Sequence, residues 1–268
     1  MSSGPPAVLQ PAAHAGRRFL ALLCEMGRIG LFAVQASYRM FTRPLKLARV
    51  LDQVNFIGTK SVFIVGLTAL FTGMVLGLQL YYVLVKLGSE TVLGAAVALA
   101  LVRELGPVLT ALMVTGRAGS SMAAEIGIMR NSEQIDALDT MDIDPIKFLA
   151  SPRLFASLIC FPLLTAFFDC VGILGGYLTG VVLLGVNSGI FFNHMTMKVD
   201  MRDVTGGFIK SLVFGAIVSI ICCYQGYTTH LRREGFGARG VSNSTTTAVV
   251  MASVLVLAAD YVLTSFLL

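Results

Sequence analysis

The stretch SVFIVGLTALFTGMVLGLQLYYVLV, Ser61–Val85, runs for 25 residues without a charge. As a helix rising 1.5 Å per residue it is about 38 Å long, enough to cross a hydrocarbon core of roughly 30 Å with some tilt. The rest of the chain has the same character. Of its 268 residues 56% are hydrophobic and only 13% charged, with a mean hydropathy of +0.80, against the roughly 25% charge of an ordinary soluble domain. These values weigh heavily against a soluble enzyme and predict an all-α integral membrane protein, because a helix satisfies its own backbone polar groups in lipid.

Working outward from that run, four further spans are expected. Thr91 to about Gly116 is interrupted by Arg103-Glu104 and Gly106-Pro107. Leu154 to Val186, with Asp169 inside it, is too long for one upright span and too short for two; a tilted helix or a re-entrant end at Gly175-Gly176 fits its length. Val204–Thr228 carries Lys210, and Ser244–Leu268 carries Asp260. Five spans place the termini on opposite sides. Cations fix the orientation. Eight fall in the N-terminal arm, four between the second and third spans and three between the fourth and fifth, whereas the opposite loops hold only Lys86, Lys198 and Arg202. The N-terminus is therefore expected in the cytoplasm and the C-terminus outside. The formal charge of +5 follows this asymmetry and does not imply nucleic acid.

Ahead of the spans, residues 1–16 read as a disordered tail rich in Pro, Ser and Ala. Residues 17–50 read as an N-terminal interfacial amphipathic helix and its linker. There Arg18, Glu25, Arg28, Gln35 and Arg39 recur at helical spacing, opposite Phe19, Leu22, Leu23, Met26 and Ile29, so the helix is expected to lie in the interface or on another protein surface. Glu25 and Arg28 break the first apolar run, so no signal peptide is expected. Residues 51–268 form a single transmembrane domain.

Between the second and third spans, Arg117–Arg153 carries Glu125, Glu133, Asp136, Asp139, Asp142 and Asp144. Asn131 followed by Gln134 resembles a cap, Ile135, Leu138 and Met141 mark an apolar edge, and Pro145 is expected to end the helix. A short helix with acidic flanks suits docking into a basic-rimmed groove of a cytosolic partner; a solvated amphipathic loop is the bland alternative.

Charges within spans are expensive and should face protein or a wet cavity. Arg103 and Glu104 point about 100° apart on a helix, so one needs a partner on another helix. Lys210 could pair with Glu104, Asp169 or Asp260, and the spacing leaves the choice open. Gly66, Gly73 and Gly77 permit close approach of helices, within the chain or between two copies. Other chemistry fails on context. Gly235-Phe236-Gly237-Ala238-Arg239-Gly240 follows a span, not a strand, and Gly58-Thr59-Lys60-Ser61 lacks the P-loop pattern, so no nucleotide site is expected. Five scattered cysteines and three histidines indicate neither a disulfide frame nor a metal site, and no cofactor is implied.

Several local strings are specific. RELGPVLTAL (Arg103–Leu112), GRAG (Gly116–Gly119), AEIG (Ala124–Gly127), EQIDAL (Glu133–Leu138), Met141, Asp144-Pro145 and SPR (Ser151–Arg153) resemble the MlaE/YrbE family of ABC-transporter permeases. Asn187-Ser188-Gly189, Ile209-Lys210-Ser211, Gly226-Tyr227, Thr245–Val250 and Asp260–Thr264 continue the likeness, which covers nearly everything after about residue 50. The resemblance implies a permease subunit that forms a homodimer in a bacterial inner membrane. One cytosolic ABC ATPase would sit under each protomer, a hexameric ring of MCE-domain protein on the periplasmic side, and a STAS-domain protein on the ATPase. The implied cargo is phospholipid, moved between inner and outer membranes to maintain outer-membrane asymmetry. On this reading Glu133, Ile135, Asp136, Leu138 and Met141 lie on a cytoplasmic coupling helix. The lipid is expected between protomers, along Leu76, Gln79, Leu80 and Val83, which share one helical face, with Arg103 near the headgroup. Glu104, Asp169, Lys210 and Asp260 form the intramembrane charge network. A secondary transporter or channel using those groups as an ion relay is the alternative; an intramembrane lipid enzyme would need a nucleophile and base that the sequence does not offer.

Overall fold

A computed structural model describes residues 10–41, 47–231 and 237–267, and among these every regular element is helical. Helix α1 is Gln10–Phe41. Helix α2, Leu47–Ile57, passes through a tight turn at Thr59–Ser61 into α3, Val62–Lys86. Next come α4 (Leu93–Ala100), α5 (Gly106–Val114) and α6 (Ser120–Asn131), joined by π-helical segments at Leu101–Leu105 and Thr115–Gly119. Helix α7 is Gln134–Thr140, and α8 is Pro145–Tyr177, which ends in a π-helical turn at Leu178–Leu183. The chain closes with α9 (Ser188–Lys198), α10 (Met201–Tyr227) and α11 (Gly237–Leu267). Five helical rods are long and apolar enough to cross a membrane: Leu47–Lys86, Glu90–Asn131, Pro145–Leu183, Met201–Tyr227 and Gly237–Leu267.

Two of these rods settle what the sequence left open or misjudged. The third run does not re-enter at Gly175-Gly176; it is one helix of 39 residues. The second rod has 42 residues, about 63 Å of helix, so it projects well beyond a bilayer. The segment Arg117–Arg153 is therefore mostly not loop: Arg117 and Arg130 lie on the second rod and Lys147 and Arg153 on the third. These cations are engaged. Arg153 Nη2 donates to Glu125 Oε2 at 2.9 Å, and Arg117 donates to the Phe56 carbonyl and, at 3.1 Å, to Ser61 Oγ.

The expected caps also move. Asn131 ends α6 instead of starting a helix, and α7 begins after Glu133, whose φ of 58° makes the turn. Pro145 does not end a helix but opens α8, where its missing N–H is harmless; Asp144 caps it by accepting from Ile146 N at 3.0 Å and Lys147 N at 3.3 Å. Gln10–Gly16, expected in a disordered tail, belong to α1, while residues 1–9 and the linker residues 42–46 lie outside the described residues.

Helix α8 is the axis of the bundle, touching α1, α2, α3, α5 and α10. Its approach to α3 depends on glycine: a Cβ on Gly73 would stand 1.8 Å from the Gly172 carbonyl oxygen, and one on Gly175 2.3 Å from that of Leu70. The α3 glycines thus serve packing within the chain, the small-residue contact by which helices associate where lipid supplies no hydrophobic drive. Helix α1 docks through Phe32, Ala36 and Met40, one buried stripe at spacing four. Phe32 meets Tyr224 edge-on at 5.7 Å, and Arg39 pairs with the capping Asp144. Leu23 and Met26 on the same helix stay exposed, as an interfacial helix requires.

Candidate functional site

The site starts from one missing hydrogen. In an α-helix the N–H of residue 107 would bond the carbonyl of residue 103, but Pro107 has none. The helix here relaxes into the π segment Leu101–Leu105, in which the Gly106 N–H reaches back to the Leu101 carbonyl. The freed Arg103 carbonyl oxygen accepts instead from Lys210 Nζ of α10 at 2.9 Å. The same ammonium donates to Glu104 Oε2 at 2.7 Å and to Thr264 Oγ1 of α11 at 2.7 Å, and lies 3.0 Å from Asp260 Oδ1. Thr264 in turn donates toward Glu104 Oε1 at 3.2 Å. One buried cation so ties three spans together, its charge offset by two carboxylates, the arrangement a charge needs to persist in lipid.

Arg103 leaves the helix in another direction. Its Nε donates to Asp203 Oδ1 at 2.7 Å, while Asp203 Oδ2 accepts from the Asp200 N–H at 3.1 Å and closes the capping box of α10. With its side chain 42% exposed, Arg103 borders a cavity of about 210 Å³ together with Glu104, Arg202, Gly206, Lys210 and Thr264. Among the described residues no hydrogen bond uses its two Nη groups, which leaves the outer edge of a planar donor fork toward the cavity.

The residues expected to hold lipid are not gathered in one place. None of Leu76, Gln79, Leu80 and Val83 lines the Arg103 cavity. Leu76 and Leu80 turn partly inward against the core, whereas Gln79 and Val83 are exposed on the outer side of α3 beside Val75 and Leu78. The expected four-residue face is thus split, because α3 packs by the stripe Val65, Ala69, Gly73 and Gly77. Asp169 also falls outside the expected network. Among the described residues it makes no ion pair and its buried Oδ1 has no hydrogen-bond partner; it lies against Gly106, while Lys210 is taken by Glu104 and Asp260.

Residues 50–266 match the family described as Permease MlaE. The chain belongs to the MlaE permease family. It is 40% identical over 255 residues, 94% of this chain and 95% of the relative, to the intermembrane phospholipid transport system permease protein MlaE of Haemophilus influenzae. It is 41% identical over 257 residues, 96% of this chain and 97% of the relative, to a probable ABC transporter permease protein of Rickettsia bellii. Over 238 residues, 89% of this chain and 67% of the relative, it is 38% identical to protein TRIGALACTOSYLDIACYLGLYCEROL 1, chloroplastic, of Arabidopsis thaliana. An MlaE permease is a multi-pass membrane subunit, in keeping with the five apolar rods. Among the described residues no three His, Cys, Asp or Glu side chains come together in a way that would hold a metal ion.

At the far end of the second rod, α7 in this MlaE-family chain is held between two non-glycine residues in the left-handed region, Glu133 and Asp142, each at φ 58°. Such residues are strained by roughly 1–2 kcal/mol, so the surroundings must fix the turn. Ile135 does so from below, fully buried with Ile126, Leu149 and Tyr224. Arg130 does so from the side, donating to Asp136 Oδ1 at 2.7 Å and to His230 Nδ1 at 2.9 Å. Burial, and then the guanidinium beside it, hold the His230 imidazole below its ordinary pKa. Of the expected coupling residues, Glu133, Asp136 and Met141 are exposed, Leu138 is half-buried and Ile135 is inaccessible, which removes Ile135 as a docking contact. Reading the sequence missed Arg202, Asp203 and Thr264 at the cavity and the whole of α9. For α9 the signal was present: Asn187 caps it by accepting from Gly189 N at 2.9 Å, the pattern of an Asn at a helix start.

Proposed function

We propose that this chain is the membrane-spanning subunit of an ATP-driven phospholipid transporter, which moves lipids between the inner and outer membranes of a bacterium and maintains outer-membrane lipid asymmetry. The observation that carries this reading is the likeness, along 94% of the chain, to a protein named as an intermembrane phospholipid transport permease. The subunit works as a homodimer in the inner membrane, with a cytosolic ABC ATPase, a periplasmic MCE-domain hexamer and a STAS-domain protein as partners. It is not itself an enzyme; ATP is hydrolysed by the partner. Its N-terminus is cytoplasmic and its C-terminus periplasmic.

The geometry supports this division of labour. Helix α7 presents Glu133, Asp136 and Met141 outward from a rigid buried base at Ile135, so force applied by an ATPase passes into both long rods without being absorbed by a flexible loop. At the other end, Arg103 faces a cavity with two donor groups to spare, suited to a phosphodiester, while Lys210, Glu104 and Asp260 keep the bulge that aims it. Gln79 and Val83 on the uncovered side of α3 border the lipid path between protomers. Affinity purification of the tagged chain from membranes tests the reading: a cytosolic ABC ATPase should co-purify, and the reconstituted complex should transfer fluorescent phospholipid only with ATP. Absence of both would refute it.

A further inference from the structure

The cavity at Arg103 is lined by three cations, Arg103, Arg202 and Lys210, and three carboxylates, Glu104, Asp200 and Asp203. Its lining therefore carries no net charge, and Asp260, whose Oδ1 stands 3.0 Å from Lys210 Nζ, shifts the balance toward the negative. The pairs that hold the walls engage Lys210 with Glu104 and the Arg103 Nε with Asp203. What they leave over has both signs. The Arg103 Nη groups remain as donors. Arg202 and Asp200 are exposed at the cavity and enter no ion pair among the described residues; Arg202 donates to the Leu267 carbonyl at 3.4 Å. These groups are neighbours. Asp203 accepts from Arg103 Nε on Oδ1 at 2.7 Å and from the Asp200 N–H on Oδ2 at 3.1 Å, so the Arg103 guanidinium and Asp200 flank a single side chain. Donors for a phosphate beside an acceptor for an ammonium complement a zwitterion, whereas a head with a phosphate alone adds to a balance already negative, which is disfavoured where water is scarce.

We propose that this cavity selects an aminophospholipid head, phosphoethanolamine, over the net-anionic phosphoglycerol, a selection that rests on Arg103 being the seat of the lipid phosphate. The phosphodiester takes the Nη edge of Arg103 with Arg202 beside it. The primary ammonium donates to the Asp200 carboxylate, which makes Asp200 the residue that decides the headgroup. Gly206 leaves room for the head in the same lining: among the described residues, a Cβ there would meet only Leu267 Cδ1, at 3.9 Å.

The test is photolabelling of the full chain in phosphatidylcholine nanodiscs, a host whose quaternary ammonium has no hydrogen to donate. The probes are phosphatidylethanolamine and phosphatidylglycerol carrying the same diazirine on one acyl chain. Peptides that contain the cavity residues Arg103, Arg202 and Thr264 should be captured about tenfold more by the phosphatidylethanolamine probe, the effect of one charge-assisted hydrogen bond. Asp200→Asn, which keeps a side chain able to cap α10, should bring the ratio of the two probes close to one. Arg103→Gln should reduce capture of both probes alike, by about tenfold. Gly206→Leu, which fills the cavity from a position with space for a Cβ, should abolish both. Equal capture of the two probes by the parent, or a ratio unchanged by Asp200→Asn, would overturn the headgroup selection, and a common loss in Arg103→Gln would then leave the phosphate seat standing. Capture of both probes indifferent to Arg103→Gln and Gly206→Leu would remove the phosphate seat, and the selection with it.

Discussion

Lys210 Nζ lies 2.7 Å from Glu104 Oε2, and the pair joins the span that carries the π segment Leu101–Leu105 to the span that carries the buried Lys210. The contact exists because Pro107 cannot donate to the Arg103 carbonyl, which leaves the ammonium two acceptors on consecutive residues.

Lys210→Met should therefore strand two carboxylates. Removing one member of such a buried set typically destabilises by about 3–5 kcal/mol, and the partial exposure of Glu104 places the expectation at the lower end. Thermal unfolding of the purified protein in detergent should drop clearly, and adding Glu104→Gln and Asp260→Asn should recover more than half of the loss. An unchanged midpoint for the single variant would mean that the network holds nothing together.

Gly73→Ala should separate α3 from α8. The added methyl would overlap the Gly172 carbonyl, which cannot yield without moving the helix, so a loss of about 3 kcal/mol is expected. Gly116→Ala is the matched control: among the described residues nothing lies within 4 Å of its Cβ position, and a helical alanine should be neutral or stabilising by up to about 1 kcal/mol. Equal effects of the two, read from detergent melts, would contradict the glycine seam.

At α7 the two apolar residues should behave in opposite ways. Met141, 67% exposed, should release the ATPase on change to Asp while the permease melts normally. Ile135→Asp should instead destabilise the fold, because it buries a charge in a closed cluster. ATPase stoichiometry after purification, measured beside the melting temperature, separates these outcomes; retention of the ATPase by Met141→Asp would remove α7 from the docking surface.

His230 gives this end of the molecule a pH dependence. Its folded-state pKa is lowered, so its contribution is fully present above the unfolded pKa of about 6.5 and is lost as pH falls below that value toward the folded one. Protonation ends acceptance from Arg130 and puts two cations together. The protection of the α7 amides, relative to their intrinsic exchange at each pH, should fall between pH 7.5 and 5.5 (roughly the histidine titration range), and His230→Asn should flatten that dependence. An equal fall in the variant would assign the effect elsewhere.

The spans were legible because a charge-free run such as Ser61–Val85 has no other physical reading, and the family likeness was legible in local strings such as Arg103–Leu112. What the sequence concealed depends on contacts distant in the chain. Arg117 and Arg153 counted as loop cations because their partners, the Phe56 carbonyl and Glu125, are invisible without the packing. The split of the Leu76, Gln79, Leu80 and Val83 face follows from the period-four glycine stripe of α3, which turns one side of that helix onto α8. Pro107 announced a disturbance at Arg103-Glu104, but its form, a π segment whose free carbonyl binds a lysine, required Lys210 to be seen beside it.

The most direct test of the account is ATP-driven transfer of a fluorescent phospholipid by the complete complex reconstituted in liposomes, with Arg103→Gln and Arg103→Lys compared to the parent. Transfer should require ATP and fall about tenfold in Arg103→Gln, the loss of one charge-assisted contact to phosphate. It should fall less in Arg103→Lys, which keeps the charge without the planar fork, while both variants assemble with the ATPase normally. Transfer independent of ATP, or at the parental rate in both variants, would contradict it.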